Sequence, residues 1–191
     1  MSCGWLSPST DAADAELAPG IKIDRAKFPT RYSEYKFARD ALAKLEPGTL
    51  LDAGCGANPE IHVFGYIAAS LGWSVTAVDA DWAVKNMPHH PKVGFGVIDI
   101  TKLWSLQGAE FSAWTCISTL EHMDIQEQLC TVEAAYGCLR AGGYAIMTAD
   151  SFAPAKLRRL LLWAGFETDG IAPQSGAHLT PPVAWAIGRK P

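Results

Sequence analysis

Residues 50–59, LLDAGCGANP, join three features that together can hold a nucleotide: an apolar run, an acid at its end and two glycines just beyond. Thr49, Leu50 and Leu51 lead into Asp52 as a run suited to a buried parallel strand, and Pro47-Gly48 marks its start. Gly54 and Gly56 let the chain turn sharply and leave no Cβ between backbone and ligand. A second run, Ser74–Asp79 (SVTAVD), also ends in an acid. A carboxylate at the end of such a strand can accept hydrogen bonds from both hydroxyls of a ribose, in the crevice where the strand order of an open α/β sheet reverses. The third glycine of the dinucleotide fingerprint is replaced by Pro59. Proline is tolerated in a first helical turn but cannot give that glycine's close strand–helix packing, so a pyrophosphate cradle is disfavoured.

The elements that must position these residues alternate between strand and helix. Residues 61–71 read as a mostly apolar helix, 93–98 as a third strand, 114–118 as a fourth and 125–139 as a helix. Gly142-Gly143 is expected to end that helix and admit a fifth strand at 144–148. A late helix leads to two last strands, 167–172 and Val183–Arg189, with Pro181-Pro182 just outside the latter. Upstream, Phe28, Arg31, Tyr32 and Tyr35 introduce an amphipathic helix ending near Leu45. Residues 1–20, rich in Ser, Ala, Asp and Pro, read as a mobile arm. The expected division is an arm over 1–30 and one domain over 31–191. Alternation of strands and helices implies a parallel sheet covered on both faces.

This ordered set resembles the class I S-adenosylmethionine-dependent methyltransferases, small-molecule type. Asp52-Ala53-Gly54-Cys55-Gly56 and the acid Asp79 match first; Val97-Ile98-Asp99-Ile100 resembles the third-strand acid that faces the adenine amino group. Residues 111–123 (FSAWTCISTLEHM) resemble the fourth strand and the loop after it, 139–148 (LRAGGYAIMT) the Gly-Gly turn and fifth strand, and 156–168 (KLRRLLLWAGFET) the late helix and its exit. The resemblance covers roughly residues 31–189. It implies an α/β, Rossmann-like, seven-stranded mostly parallel sheet with helices on both faces and the last strand antiparallel. It implies S-adenosyl-L-methionine as cofactor, held by Asp52, Ala53, Gly54, Gly56, Asp79, Ala80, Asp99, Ile100 and Ser118. By analogy Arg31 pairs with the cofactor's carboxylate and Tyr32 covers its methionine chain, against the plainer reading of an exposed Arg and a packed Tyr. Trp82 either flanks the adenine or packs on the sheet.

Three departures stand out. Ser112 replaces the acid that usually follows the phenylalanine opening the fourth strand. The stretch from Asp52 to Asp79 is about one helical turn longer than the family leads one to expect, which points to an extended loop over 58–64. Only Ser151, Phe152 and Ala153 separate the fifth strand from the next helix, where relatives insert part of a substrate lid. Residues 1–35 or a second subunit, as in a homodimer, are then expected to close the site.

Methyl transfer from a sulfonium is a direct displacement, so alignment and exclusion of water matter most. If the acceptor must lose a proton, His122 is the first candidate base and Glu121 the second, since the loop after the fourth strand opens toward the methyl group. Packing support is the competing role for both. Ser118 takes the first position of the Glu-x-x-Glu-His metal set found in some relatives, which leaves Glu121 and His122 and no expected metal site. The loop lacks the Asn/Asp-Pro-Pro-aromatic signature of enzymes that methylate amino groups of bases or glutamine. The expected acceptor is therefore a small molecule, sugar, lipid head or carrier-bound intermediate.

Composition bounds the rest. The 191 residues, 49% hydrophobic and 19% charged, fit one globular domain. A net charge of −4, with Lys156, Arg158 and Arg159 as the densest basic cluster, gives no footprint for nucleic acid. Five cysteines without a Cys-x-x-Cys pair fit a reducing cytoplasm, and no apolar run has membrane-spanning length. Cys55 has no basic neighbour in sequence to activate it. Two other classes stay open: a partner or scaffold that keeps the fold without catalysis, and a nicotinamide oxidoreductase, which Pro59 and the lack of a Tyr-x-x-x-Lys pair disfavour.

Overall fold

Leu50 and Leu51 face opposite ways from the first central strand, and each belongs to a different core. The computed structural model describes residues 16–106, 108–168, 174–176 and 183–191. In chain order its elements are β1 (Glu16–Ala18), β2 (Ile21–Lys22), α1 (Pro29–Leu42), β3 (Thr49–Ala53), α2 (Phe64–Ser70), β4 (Ser74–Asp79) and β5 (Val93–Val97). There follow β6 (Phe111–Ile117), α3 (Ile125–Cys138), β7 (Leu139–Asp150), α4 (Pro154–Trp163), β8 (Gln174–Gly176) and β9 (Val183–Arg189). Short 3-10 turns follow β4, β5 and β6.

A seven-stranded sheet runs in the order β5-β4-β3-β6-β7-β9-β8. β3 to β7 are parallel, and β9 is antiparallel to both β7 and β8. The chain winds outward from β3 to β5, then returns to place β6 on the other flank of β3. The reversal of strand order therefore lies between β3 and β6. One face packs α1 and α2 through Tyr35, Ala38, Ile67 and Ala68 against Leu50, Ala113 and Ile146. The other packs α3 and α4 through Val132, Ala135 and Leu157 against Leu51, Trp114 and Met147. Helix starts obey local chemistry: Pro29 and Pro154 sit in first turns, and Asp124 with Glu127 forms a capping box at α3.

The structure corrects four expectations. The helix expected at 61–71 spans only Phe64–Ser70, because the extended loop takes the residues before it: the Asn58 carbonyl accepts from the amides of Ile61 and His62. Gly142-Gly143 does not end a helix. β7 begins directly after α3, and the two glycines form a bulge across which pairing jumps from Phe111–Leu139 to Ala113–Tyr144. Gly142 has φ 75°, and a Cβ on Gly143 would lie 2.9 Å from the Arg140 carbonyl. The arm does not extend to residue 30: Glu16–Ala18 and Ile21–Lys22 form a hairpin, and Leu17 and Ile23, each 2% exposed, enter the core beside α1. Residues 1–15 of the expected arm lie outside the described residues. Of the strand expected at 167–172, Glu167 makes an isolated bridge to Arg189 and 169–172 lie outside the described residues; the strand beside β9 is Gln174–Gly176.

Ser112 sits at the amino end of β6, where its amide donates to Thr49 Oγ1 and its hydroxyl accepts from Arg140 Nε. That is the end of the sheet opposite the carboxyl ends of β3 and β6, so the missing acid does not touch the crevice there.

Candidate functional site

At the carboxyl ends of β3, β4 and β6 a cavity of about 230 Å³ opens over the point of strand-order reversal. The glycine turn forms its floor. Gly54 and Gly56 have φ of 73° and 68°, values that side chains rarely allow. A Cβ on Gly54 would come within 2.4 Å of Thr119 Oγ1, and one on Gly56 within 2.1 Å of His62 Nδ1. Asp79 is held by two amides, Gly56 N donating to Oδ2 at 2.8 Å and Asp81 N to Oδ1 at 2.9 Å. Each oxygen keeps a lone pair for another donor.

α1 roofs the cavity. Arg31 Nη1 donates to the Ile117 carbonyl at 3.3 Å, and its guanidinium lies 5.6 Å from the centre of the Tyr35 ring. Tyr35 donates its hydroxyl proton to the Ile61 carbonyl at 2.9 Å, which ties the roof to the extended loop; burial raises the phenol's pKa. His62 and Phe64 complete that wall. His62 Nδ1 accepts from Asn58 N at 2.9 Å, and burial together with Arg31 lowers the imidazole pKa.

Strand parity puts a polar layer between α1 and the sheet. Asp52 shares the face of Leu50 and accepts from Thr115 Oγ1 at 2.8 Å. Burial pushes this carboxyl up to about 7 and Asp79 adds to the rise, while the Thr115 hydrogen bond opposes it. One turn into α1, Glu34 accepts at the same oxygen from Ser118 Oγ, in a short contact, and from Thr148 Oγ1 at 2.6 Å. Burial pushes Glu34 to about 7, against Arg31 and the two hydroxyls. Ser118 holds φ 47° at the end of β6, and Ser151 holds 60° just past β7. Non-glycine residues at such angles cluster where structure is held for function.

Of the residues singled out in the sequence, Arg31, Tyr35, Asp52, Gly54, Cys55, Gly56, Asp79, Ser118 and His122 meet at the cavity. Ala53, Ala80, Asp99, Ile100 and Glu121 do not line it. Ala53 and Ile100 are buried in the core on the α3 face, and Ala80 lies past β4 off the cavity wall. Asp99 turns its carboxylate to Thr101, by the amide at 3.0 Å and the hydroxyl at 2.7 Å, and to Lys102 Nζ at 2.9 Å; the Thr101 hydrogen bond lowers its pKa. Glu121 faces away from the cavity and accepts from the Asp150 amide at 3.1 Å, so it braces β7. Tyr32 packs in the core, whereas Tyr35, one turn further along the helix, lines the cavity. Trp82 is 67% exposed under Lys85, whose Nζ is 3.7 Å from the ring centre. Cys55 lies on the wall, where burial, then Asp52 and Asp79, raises its thiol pKa. Among the described residues, no group of three or more His, Cys, Asp or Glu side chains is placed to hold a metal ion.

Glu34, Thr115, Thr148 and Asp150 were not singled out in the sequence. The signal is there: Glu34 shares the helical phase of Arg31, Ala38 and Ala41 on the buried stripe of α1. Thr115, Thr148 and Asp150 repeat the inward parity of Ala113 and Ile146 in apolar strands.

No family model matches the chain, and no curated protein matches it in sequence. Solved structures do match in fold. A SAM-dependent methyltransferase from Archaeoglobus fulgidus superimposes with a TM-score of 0.69 at 14% identity, over 87% of this chain and 97% of that one. The 1,6-didemethyltoxoflavin-N1-methyltransferase of Burkholderia thailandensis gives 0.65 at 19%, over 87% and 81%. Magnesium protoporphyrin IX methyltransferase from Synechocystis PCC 6803 gives 0.63 at 17%, over 83% and 80%. The fold of this chain is that of the class I S-adenosylmethionine-dependent methyltransferases.

Proposed function

We propose that this protein is an S-adenosylmethionine-dependent methyltransferase acting on a small-molecule acceptor. The observation that carries the reading is the joint placement of the Gly54–Gly56 turn and a doubly anchored Asp79 at the point of strand-order reversal. The residues fit the cofactor: the two glycines leave bare backbone where a Cβ would clash, and Asp79 has lone pairs for a ribose diol. Arg31 is the cation for the carboxylate of the methionine chain, with Tyr35 as its cover. Two of the similar structures were solved with S-adenosylhomocysteine or SAM bound, which supports the same assignment.

When bound, the cofactor supplies an electrophilic methyl group on a positively charged sulfur. This chain's residues orient and enclose it: α1 covers the cavity through Arg31 and Tyr35, and Phe64 adds an apolar wall that sheds water. His122 stands on the cavity wall. No helix among the described residues is long and apolar enough to cross a membrane. Cys55, Cys116, Cys130 and Cys138 are free thiols, which supports a reducing cytoplasmic setting.

Calorimetric titration of S-adenosylmethionine and S-adenosylhomocysteine tests the reading. Wild type is expected to bind in the micromolar range, and Asp79→Ala to bind about 30-fold more weakly or worse, as expected when hydrogen bonds to a charged acceptor are lost. A folded wild type that binds neither compound would overturn the proposal and favour the scaffold.

A further inference from the structure

A second cavity, of about 320 Å³, lies on the other side of Arg31, whose side chain lines both. Its inner end is acidic, with Glu34 and Asp150, and Phe28, Pro29 and Ile61 make its sides apolar. The Glu34 side chain is 1% exposed. Its Oε1 takes both hydroxyl donors, and Oε2 has no hydrogen-bond partner; the nearest cation, Arg31 Nη1, stands 3.6 Å away. Asp150 Oδ1 is likewise buried without a partner. Behind them, the remaining oxygen of Glu121 is unpaired as well. Lys27, at the rim, lies over the Phe28 ring and pairs with Glu60 at 3.8 Å, so its charge is turned outward.

Buried carboxylate oxygens that lack a hydrogen-bond donor are costly, and more so together. A ligand that settles them must bring donors, positive charge and no acceptor of its own. An ammonium group has three N–H donors and nothing to accept with, whereas a hydroxyl brings one donor and two lone pairs. A carboxylate or phosphate would add acceptors where donors are already lacking.

We propose that this second cavity takes the methyl acceptor as a primary amine, with its ammonium group between Glu34 and Asp150, its apolar body against Phe28, Pro29 and Ile61, and Glu34 as the proton acceptor. The inference rests on the methyltransferase reading above. Oε2 of Glu34 takes one proton from the ammonium and frees the nitrogen lone pair. That pair forms the bond to the methyl carbon while the carbon–sulfur bond breaks and its electrons stay on sulfur. The product leaves as a secondary ammonium, and Glu34 returns its proton to solvent through the cavity. Ser118 stands between the two cavities: it lines the first and donates to Glu34, which lines the second.

Burial sets Glu34 near 7, where a base can both take and release a proton. The charged and titratable groups around it are Arg31 and Tyr35 on its own helix, Asp150 at the end of β7, and Glu121 and His122 beyond Asp150.

The test uses benzylamine and phenethylamine beside the matched alcohols, benzyl alcohol and 2-phenylethanol. Binding is measured by calorimetry to the protein alone and to its complex with S-adenosylhomocysteine, and transfer with S-adenosylmethionine. The amines are expected to bind and the alcohols not. Glu34→Gln keeps an acceptor for Ser118 and Thr148, so it is expected to hold S-adenosylhomocysteine within about twofold of wild type while losing amine affinity about tenfold or more, and transfer with it. Asp150→Asn is expected to weaken amine binding similarly yet keep transfer at saturating amine, with the rate still rising through pH 7. Alcohols bound and methylated in place of amines would overturn the proposal, as would Glu34→Gln with unchanged amine affinity and rate–pH profile. A wild type that binds S-adenosylhomocysteine but no amine sinks this inference alone; one that binds neither sinks the methyltransferase reading, and this falls with it.

Discussion

The two flanks of the crevice are built on different terms. On the β6 flank, Asp52, Thr115, Ser118, Thr148 and Glu34 form a buried layer whose hydroxyls all point at carboxylates. On the β5 flank, Asp99 is tied to its own neighbours, and Trp82 and Trp104 stand 67% and 62% exposed. A low dielectric strengthens every interaction on the first flank and raises the cost of an unmatched charge there. Water screens the second. The buried flank is thus where substitutions should alter both chemistry and stability, and the open flank is where they should be tolerated.

The sharpest way to break this contrast is to fill the floor on the buried side. Gly54→Ala places a Cβ 2.4 Å from Thr119 Oγ1 at φ 73°. We expect a loss of about 2–3 kcal/mol, seen as a melting temperature lower by roughly 5–10 °C, and no detectable S-adenosylhomocysteine binding by calorimetry.

A smaller effect follows from the two raised carboxyls. Asp52 and Glu34 have ordinary values near 4 and are pushed to about 7 in the folded chain. Between those limits the folded state holds protons that the unfolded chain has released, so stability is greatest below pH 4 on this account and falls as pH rises toward 7. The melting temperature should therefore drop by several degrees from pH 5 to pH 8, and Asp52→Asn should flatten the slope by about half, read from thermal melts across that range. An equal slope in the mutant would mean that Asp52 is ionised in the fold.

The smallest effects belong to the open flank. Asp99→Asn and Trp82→Ala should each change S-adenosylhomocysteine affinity by less than about threefold, in keeping with the small worth of exposed pairs. A tenfold loss for either would show that the β5 flank closes on the ligand, and would erase the distinction between the two sides.

What the sequence revealed divides along similar lines. The glycine turn, Asp79 and the alternation of strands are legible because each is a local pattern: a run, an acid at its end, a residue without a side chain. Ser74–Asp79 matches its expected bounds for this reason. Glu34 was hidden because its meaning depends on Ser118 and Thr148, which lie 84 and 114 residues away. Asp99 shows the opposite case: its position fits the resemblance, while the partners of its carboxylate, Thr101 and Lys102, lie close in sequence. At Gly142, a Gly-Gly pair after a helix looks like a stop, and only the pairing with β6 shows that the strand has already begun.

His122 stands on a short tether fixed at both ends. Behind it, Gln128 Nε2 donates to the carbonyls of Leu120 and Met123 at 2.9 and 2.8 Å, and the Asp124–Glu127 capping box pins the start of α3. Ahead of it, Thr119 Oγ1 reaches back to the carbonyls of Gly54 and Ile117. The backbone between them has no slack to open as a gate. The freedom left to His122 is rotation about its own side-chain bonds, a motion of picoseconds to nanoseconds. The segment is thus a fixed wall of the crevice, held from both sides.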